Sequence, residues 1–274
     1  ADEGSMAHLL ALLGNDPTQL SCQLHRLRDQ VLLGDWDALG LGHYADDAAL
    51  VAKRPGDVGP HDVAALTDGL HSPALLAVAR GAGFRFDEDA TDPFRFRNWL
   101  FAMDGAMEGF ADAREKLLAE LPDLIRRQLR SPTDREHVFA LFLRHLRERG
   151  RLDDPNAPAP DVARCLGDAV RDVDRLEREL GRPRPSELAL VATNGRILVA
   201  ARRGRPLFYM LQEGAGRCGR CGVEGDEDLR AAAHRRAKAV VLASEPKASS
   251  GFLEVPDGSV VAVGRGLDIH IASI

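Results

Sequence analysis

The stretch from Met6 to Gly14, Met-Ala-His-Leu-Leu-Ala-Leu-Leu-Gly, constrains this chain more than any other. It is an unbroken apolar run closed by glycine, short enough for one buried strand. Residues 1–5 read as a cloning remnant and residues 6–274 as a single domain. A start methionine followed by alanine would leave Ala7 as the first residue of the mature protein.

A chain of 274 residues can bury a sizeable core. With 45% hydrophobic and 28% charged residues it has the composition of a soluble globular protein rather than a disordered one. The net charge of -6 offers no overall attraction to nucleic acid or to an anionic membrane. The local clusters Arg202-Arg203-Gly204-Arg205 and Arg235-Arg236 are expected to be solvated faces. No apolar run reaches the roughly 18 residues of a membrane span, and no signal peptide is visible, so the expected place is the cytoplasm. Four cysteines, Cys22, Cys165, Cys218 and Cys221, suit a reducing compartment.

Further elements follow in order. Leu20 to Leu33 reads as a short helix or an irregular loop. Gly34 to Tyr44 reads as a glycine-containing strand and nothing more, and Asp46 to Arg54 and Leu75 to Arg80 as two further strands, with a short helix at His61 to Leu70 between them. Trp99 to Ala102 is a compact strand, after which Asp104-Gly105 has the chemistry of a hairpin turn. Phe110 to Arg130 is helical with a break at Pro122. Thr133 and Glu136 have capping-box spacing at the start of a helix over Asp134 to Arg149. Pro160 to Leu180 is amphipathic, with Val162, Cys165, Leu166, Ala169, Val170, Val173 and Leu176 on one side.

Glu187 to Thr193 and Arg196 to Ala201 flank Asn194-Gly195, the strongest hairpin signal in the chain. Pro206 to Leu211 is expected to continue their sheet. Ala239 to Ser244 reads as a buried strand, Phe252 to Val263 as a hairpin, and Leu267 to Ile271 as the last strand. Between them lies Cys218-Gly219-Arg220-Cys221. One Cys-x-x-Cys is half of a four-ligand zinc site. His234 or a partner chain would have to complete it; a redox pair is a second reading, and an unliganded surface loop with no cofactor is the expected one.

Taken together, these segments resemble the class II glutamine amidotransferases, which are N-terminal nucleophile hydrolases. The opening resembles that family's Met-Cys-Arg-Leu-Leu-Ala strand, with Ala7 at the position of the nucleophilic cysteine and His8 at the neighbouring basic position. Asp37, Gly40, Gly42 and Tyr44 fall in step with its Asn-x-Asp-Gly-x-Gly-x-Gly-x-Tyr turn, with Ala38 in place of one glycine. Leu76 to Gly83 resembles its Ala-His-x-Arg-x-Ala-Thr strand end, Val78 and Gly83 replacing histidine and threonine. Thr91 to Phe94 stands for Asn-x-His-Pro-Phe, Met103-Asp104-Gly105 for His-Asn-Gly, Ser131 to Glu136 for Gly-x-Thr-Asp-Ser-Glu, and Ala243 to Pro246 for Ala-Ser-Glu-Pro.

The resemblance implies a four-layer αββα sandwich of the N-terminal nucleophile hydrolase type, α+β in class. It implies that Arg80 would grip the α-carboxylate of glutamine and Asp134 its α-amino group. It also implies that Asp104 and Gly105 occupy the oxyanion position. An ionised aspartate there accepts hydrogen bonds instead of donating them, and a methyl group cannot attack a carboxamide. The expected function is therefore a non-catalytic relative that binds a glutamine-like ligand or a protein partner through the old cleft. An amidotransferase or amidohydrolase whose nucleophile is replaced or was mutated, and a structural subunit of a larger complex, are the alternatives.

Overall fold

The apolar opening folds as strand β1 (Ala7–Gly14), and the remaining elements follow as α1 (Leu20–Leu27), β2 (Ala38–Ala45), β3 (Ala48–Pro55), α2 (Val63–Leu66), β4 (Ala74–Arg80), β5 (Phe94–Phe96) and β6 (Trp99–Gly105). Three helices on the same side come next, α3 (Phe110–Glu120), α5 (Asp134–Glu148) and α6 (Ala159–Glu179), with the single turn α4 (Asp123–Arg126) after the break at Pro122. The last third holds β7 (Leu188–Thr193), β8 (Leu198–Arg203), β9 (Phe208–Gln212), α7 (Ala231–Arg236), β10 (Ala239–Ala243), β11 (Leu253–Glu254), β12 (Ser259–Val263) and β13 (Ile269–Ser273). This computed structural model describes residues 7–28, 30, 36–56, 63–81, 84–182, 184–225, 227–248 and 250–274. Expectations resting on residues 1–5, Met6, Gly34, Asp35, His61 and Gly83 lie outside the described residues.

Two antiparallel sheets result. One has seven strands in the order β11-β9-β10-β1-β4-β2-β3, the other six in the order β13-β12-β8-β7-β6-β5. The two-residue period of a strand assigns every side chain to a layer. Leu9, Ala11 and Leu13 of β1 meet Leu76 and Val78 of β4, Leu100 and Ala102 of β6, and Val191 of β7 between the sheets. Leu10 and Leu12 point the other way, under α1 with Leu20, Leu24 and Leu27. On the far side Phe101 and Met103 pack under α5 and α6, where Phe139 stacks on Phe101 at 5.0 Å between ring centroids. The architecture is the αββα sandwich.

Local chemistry explains the element boundaries. Thr133 caps α5 by accepting from the Glu136 amide, while the Glu136 carboxylate reaches back to the amides of Arg130 and Ser131 rather than to Thr133. Asn194 Oδ1 accepts from the amides of Arg196 and Ile197, and Gly195 takes φ +83, closing the β7–β8 hairpin.

Several expectations are corrected. Of the stretch Leu20 to Leu33, Leu20–Leu27 is a helix, and residues 29 and 31–33 lie outside the described residues. Asp104 and Gly105 are not a turn: they end β6, paired with Ala189 and Leu188. The strand after Pro206 does not extend the β7–β8 sheet but crosses to the other one, where β9 pairs with β10. Phe252 to Val263 is not a hairpin either, because β11 pairs with β9 and β12 with β8 and β13. Nor is the 202–205 cluster a solvated face. Arg202 and Arg203 are half-buried, Arg202 meeting Glu254 at 2.6 Å and Arg203 meeting Asp174.

Candidate functional site

The alternation that builds the inter-sheet layer also assembles the site at one end of it. Ala7 of β1 and Arg80 of β4 are register partners, and both belong to the inward-facing set of the seven-stranded sheet. Asp104 follows Leu100 and Ala102 on the inward face of β6 in the opposite sheet. The Ala7 nitrogen donates to Asp104 Oδ1 at 3.0 Å, joining the two sheets. The other carboxylate oxygen of Asp104 lies 3.3 Å from Nε of Arg205, contributed by the turn after β8. His8, one residue along, faces the other way and lies 3.2 Å from Glu245.

Ser244 fixes the start of β1. Its Oγ accepts from the Leu9 amide at 2.9 Å, and its own amide donates to the Leu9 carbonyl at 3.1 Å. This gives the Ala243-Ser244-Glu245-Pro246 segment a structural reason.

Arg80 is 1% exposed. Its Nε donates to Asp92 Oδ2 at 3.0 Å, and its Nη2 donates to the same oxygen and to the Met103 carbonyl at 2.6 Å. Asp92 is fully buried, and Nε of Arg135 lies 3.7 Å from its Oδ2. Both guanidiniums lie within 6 Å of the Phe84 ring centroid, Arg80 at 5.9 Å and Arg135 at 5.5 Å. Asp92 Oδ1, on the far side of the carboxylate, has no hydrogen-bond partner among the described residues. Gly40 is needed here: a Cβ on it would lie 1.7 Å from the Asp92 carbonyl oxygen, so only glycine lets β2 pass this loop.

Asp134 opens α5 half-buried, and both its oxygens are engaged. Oδ2 accepts from the Met107 amide at 2.7 Å and Oδ1 from the Arg135 amide at 2.8 Å. Gly105, at φ +95, carries no side chain because a Cβ would sit 1.9 Å from the Glu187 carbonyl. Nearby on β3, burial pulls the Lys53 ammonium below its ordinary value, against the pull of Asp92 and Asp89.

Of the residues singled out from sequence, then, Ala7, Arg80 and Asp104 come together, and Asp134 joins them through Met107 and the neighbouring Arg135. Cys218 and Cys221 lie elsewhere, beyond the C-terminal end of β1, with Cys22 of α1 and His234 of α7 beside them. Burial, then hydrogen bonding to Cys221 and the nearness of Cys218, pushes the Cys22 thiol up to about 12. Sequence reading did not single out Arg135, Arg205 or Cys22. Arg135 follows Asp134 directly, and that adjacency was the one signal available for it. A cavity of about 300 Å³ opens at the opposite end of β2, lined by Tyr44, Asp46, Asp47, His71 and Asn194, none of which the sequence assigned a catalytic, binding or metal role.

Two facing antiparallel sheets, helices on both outer faces and a polar cluster where β1 begins define a protein of the N-terminal nucleophile hydrolase fold. A family model described as glutamine amidotransferases class-II matches residues 6–273, and the chain belongs to that family. Among solved structures, a glutamine aminotransferase class-II domain protein from Silicibacter pomeroyi is 19% identical with a TM-score of 0.60, over 97% of this chain and 98% of that one. A predicted glutamine amidotransferase from Pseudomonas aeruginosa is 14% identical with a TM-score of 0.57, over 99% and 100%. The glutamine phosphoribosylpyrophosphate amidotransferase from B. subtilis is 13% identical with a TM-score of 0.57, over 97% of this chain but 49% of that one. At these identities the likeness establishes the fold. No curated protein matches the chain.

Proposed function

We propose that this chain is a non-catalytic member of its family that acts by recognition, and that the old cleft region meets a protein partner rather than free glutamine. One observation carries the reading: every charged group that would serve glutamine is already satisfied from within the chain. Asp92 occupies Arg80 as a ligand carboxylate would, and backbone amides occupy Asp134. The residue at the nucleophile position carries only a methyl group, and its nitrogen is held by Asp104. As a backbone amide, that nitrogen is a donor and not a base.

A glutamine-like ligand would have to displace a buried carboxylate from Arg80, at the cost of breaking that pair and leaving the carboxylate with Arg135 alone, 3.7 Å away. Calorimetry with glutamine, glutamate and γ-glutamyl compounds tests this, and no heat is expected. Binding that is lost in Arg80→Met would replace the partner reading with the ligand reading. The alternative, an amidotransferase or amidohydrolase whose nucleophile is replaced at Ala7, draws on the position of Ala7 opposite Arg80. It predicts that Ala7→Cys hydrolyses glutamine.

A further inference from the structure

The outer faces of the two sheets are unequally covered. The six-stranded sheet lies under α5 and α6, of 15 and 21 residues, whereas the seven-stranded sheet has α1 of 8 residues and α2 of 4. The crossover from β9 to β10 runs over this thinner side with, among its described residues, only the six-residue α7 for a helix. Its apolar anchorage is slight: Cys218, Val223 and Ala231 of the crossover gather around Cys22 of α1, with Cys221 at their edge. A segment that buries so little needs another tie to remain in one place.

Four metal-type ligands meet at that point. One ligand atom from each of Cys22, Cys218, Cys221 and His234 lies within 4.8 Å of all the others. A tetrahedral zinc ion with Zn–S bonds of about 2.3 Å sets its sulfurs roughly 3.8 Å apart, so small side-chain adjustments suffice to seat one. The Cys22 and Cys221 sulfurs are 3.0 Å apart, too far for a disulfide and nearer than two unbonded sulfurs ordinarily pack. The Cys218 to Val223 loop is closed by reciprocal bonds, the Cys218 amide to the Val223 carbonyl at 2.9 Å and the Val223 amide to the Cys218 carbonyl at 3.1 Å, with Gly222 at φ +69. That closure turns the amides of Arg220 and Cys221 toward the Cys218 sulfur. Nη1 of Arg220 lies 3.8 Å from the Cys22 sulfur, and Nη1 of Arg230 donates to the Cys221 carbonyl at 2.9 Å. Donors aimed at sulfur are the outer support that thiolate ligands use.

We propose that Cys22, Cys218, Cys221 and His234 bind one structural zinc ion that clamps the β9–β10 crossover to α1. Three thiols ionise and release their protons on binding, the imidazole binds neutral, and no electron is transferred. Four protein ligands leave no open position, so the ion stabilises and does not catalyse. Cys22, Cys218 and His234 are all buried, unlike the accessible thiols of a redox pair.

The test is the metal content of the whole chain, purified without chelator from zinc-supplemented cells. About one zinc per chain is expected. Cys22→Ser and His234→Ala should lower it severalfold, while Cys165→Ser, at a buried cysteine outside the cluster, should leave it unchanged. In case the variants fold poorly, the unaltered protein is also loaded with Co²⁺, which should show the intense sulfur-to-cobalt absorption and visible bands of a tetrahedral thiolate site. A chelator should lower its melting temperature. Retention of no zinc and absence of the cobalt spectrum would overturn the proposal, as would zinc content unaffected by Cys22→Ser. So would two missing thiols on titration of the denatured, unreduced protein, since these would identify a disulfide.

Discussion

Replacing Asp92 by asparagine keeps the shape of the residue and removes its charge. Asp92 is fully buried, Arg80 is 1% exposed, and Arg135 lies 3.7 Å from the same carboxylate oxygen that Arg80 holds. The change therefore leaves two guanidiniums facing each other in the interior with no anion between them. Removing one partner of a buried pair costs about 3–5 kcal/mol. This is a large share of the roughly 5–15 kcal/mol that holds a domain folded. Arg80→Met should cost less, because Asp92 keeps Arg135 as a partner. The double variant, with an apolar side chain facing a neutral amide, should recover part of the loss, giving a coupling of roughly 2–3 kcal/mol. Urea unfolding of the four proteins at neutral pH, with a common slope, measures this. Single-variant losses under about 1 kcal/mol that simply add would mean that the pair is solvated and that Arg80 is free to meet a ligand.

Other outcomes follow from the same geometry. Gly105→Ala should destabilise by more than the roughly 1–3 kcal/mol of its backbone strain, because the new Cβ meets the Glu187 carbonyl, whereas Gly69→Ala, at φ +76 with open space around it, should cost only about 1–2 kcal/mol; thermal unfolding separates the two. Burial lowers His137 below its ordinary value, against its bond to the Thr133 carbonyl, so its contribution to stability is complete above about pH 6.5 and lost as pH falls through the lowered value. His137→Gln should therefore flatten stability just below pH 6.5, by at most about 1.4 kcal/mol per pH unit, and an unchanged slope would refute this. Ala7→Cys should stay inactive toward glutamine in an ammonia assay, because Asp104 still accepts where a donor is needed and Asp92 still holds Arg80.

What sequence made legible was local or periodic. The opening run became β1, the spacing of Val162 to Leu176 became the buried face of α6, and Asn194-Gly195 became a tight turn. These depend on neighbours within a turn or a strand. Sheet membership does not. Nothing in Phe208–Gln212 says that it leaves the β7–β8 sheet for β10, and nothing in Leu253 says that it pairs with Tyr209 instead of with β12. The site divides in the same way. Ala7, Arg80, Asp104 and Asp134 were found by matching motifs, but their partners are brought in by tertiary packing: the Ala7–Asp104 bond spans 97 positions, and the Cys22–Cys221 contact spans 199. Asp92 was visible as part of a motif. Its pairing with Arg80 needed the loop before β5 to fold over Gly40.

With Asp92 on Arg80 and Asp104 on the Ala7 nitrogen, the protein should not turn over glutamine. Ammonia release from glutamine, followed with protein that has Ala7 in place, tests this most directly. The expected rate is indistinguishable from that of a protein-free control at millimolar glutamine. Saturable release at about one turnover per second or faster, lost when Arg80 is replaced, would contradict it.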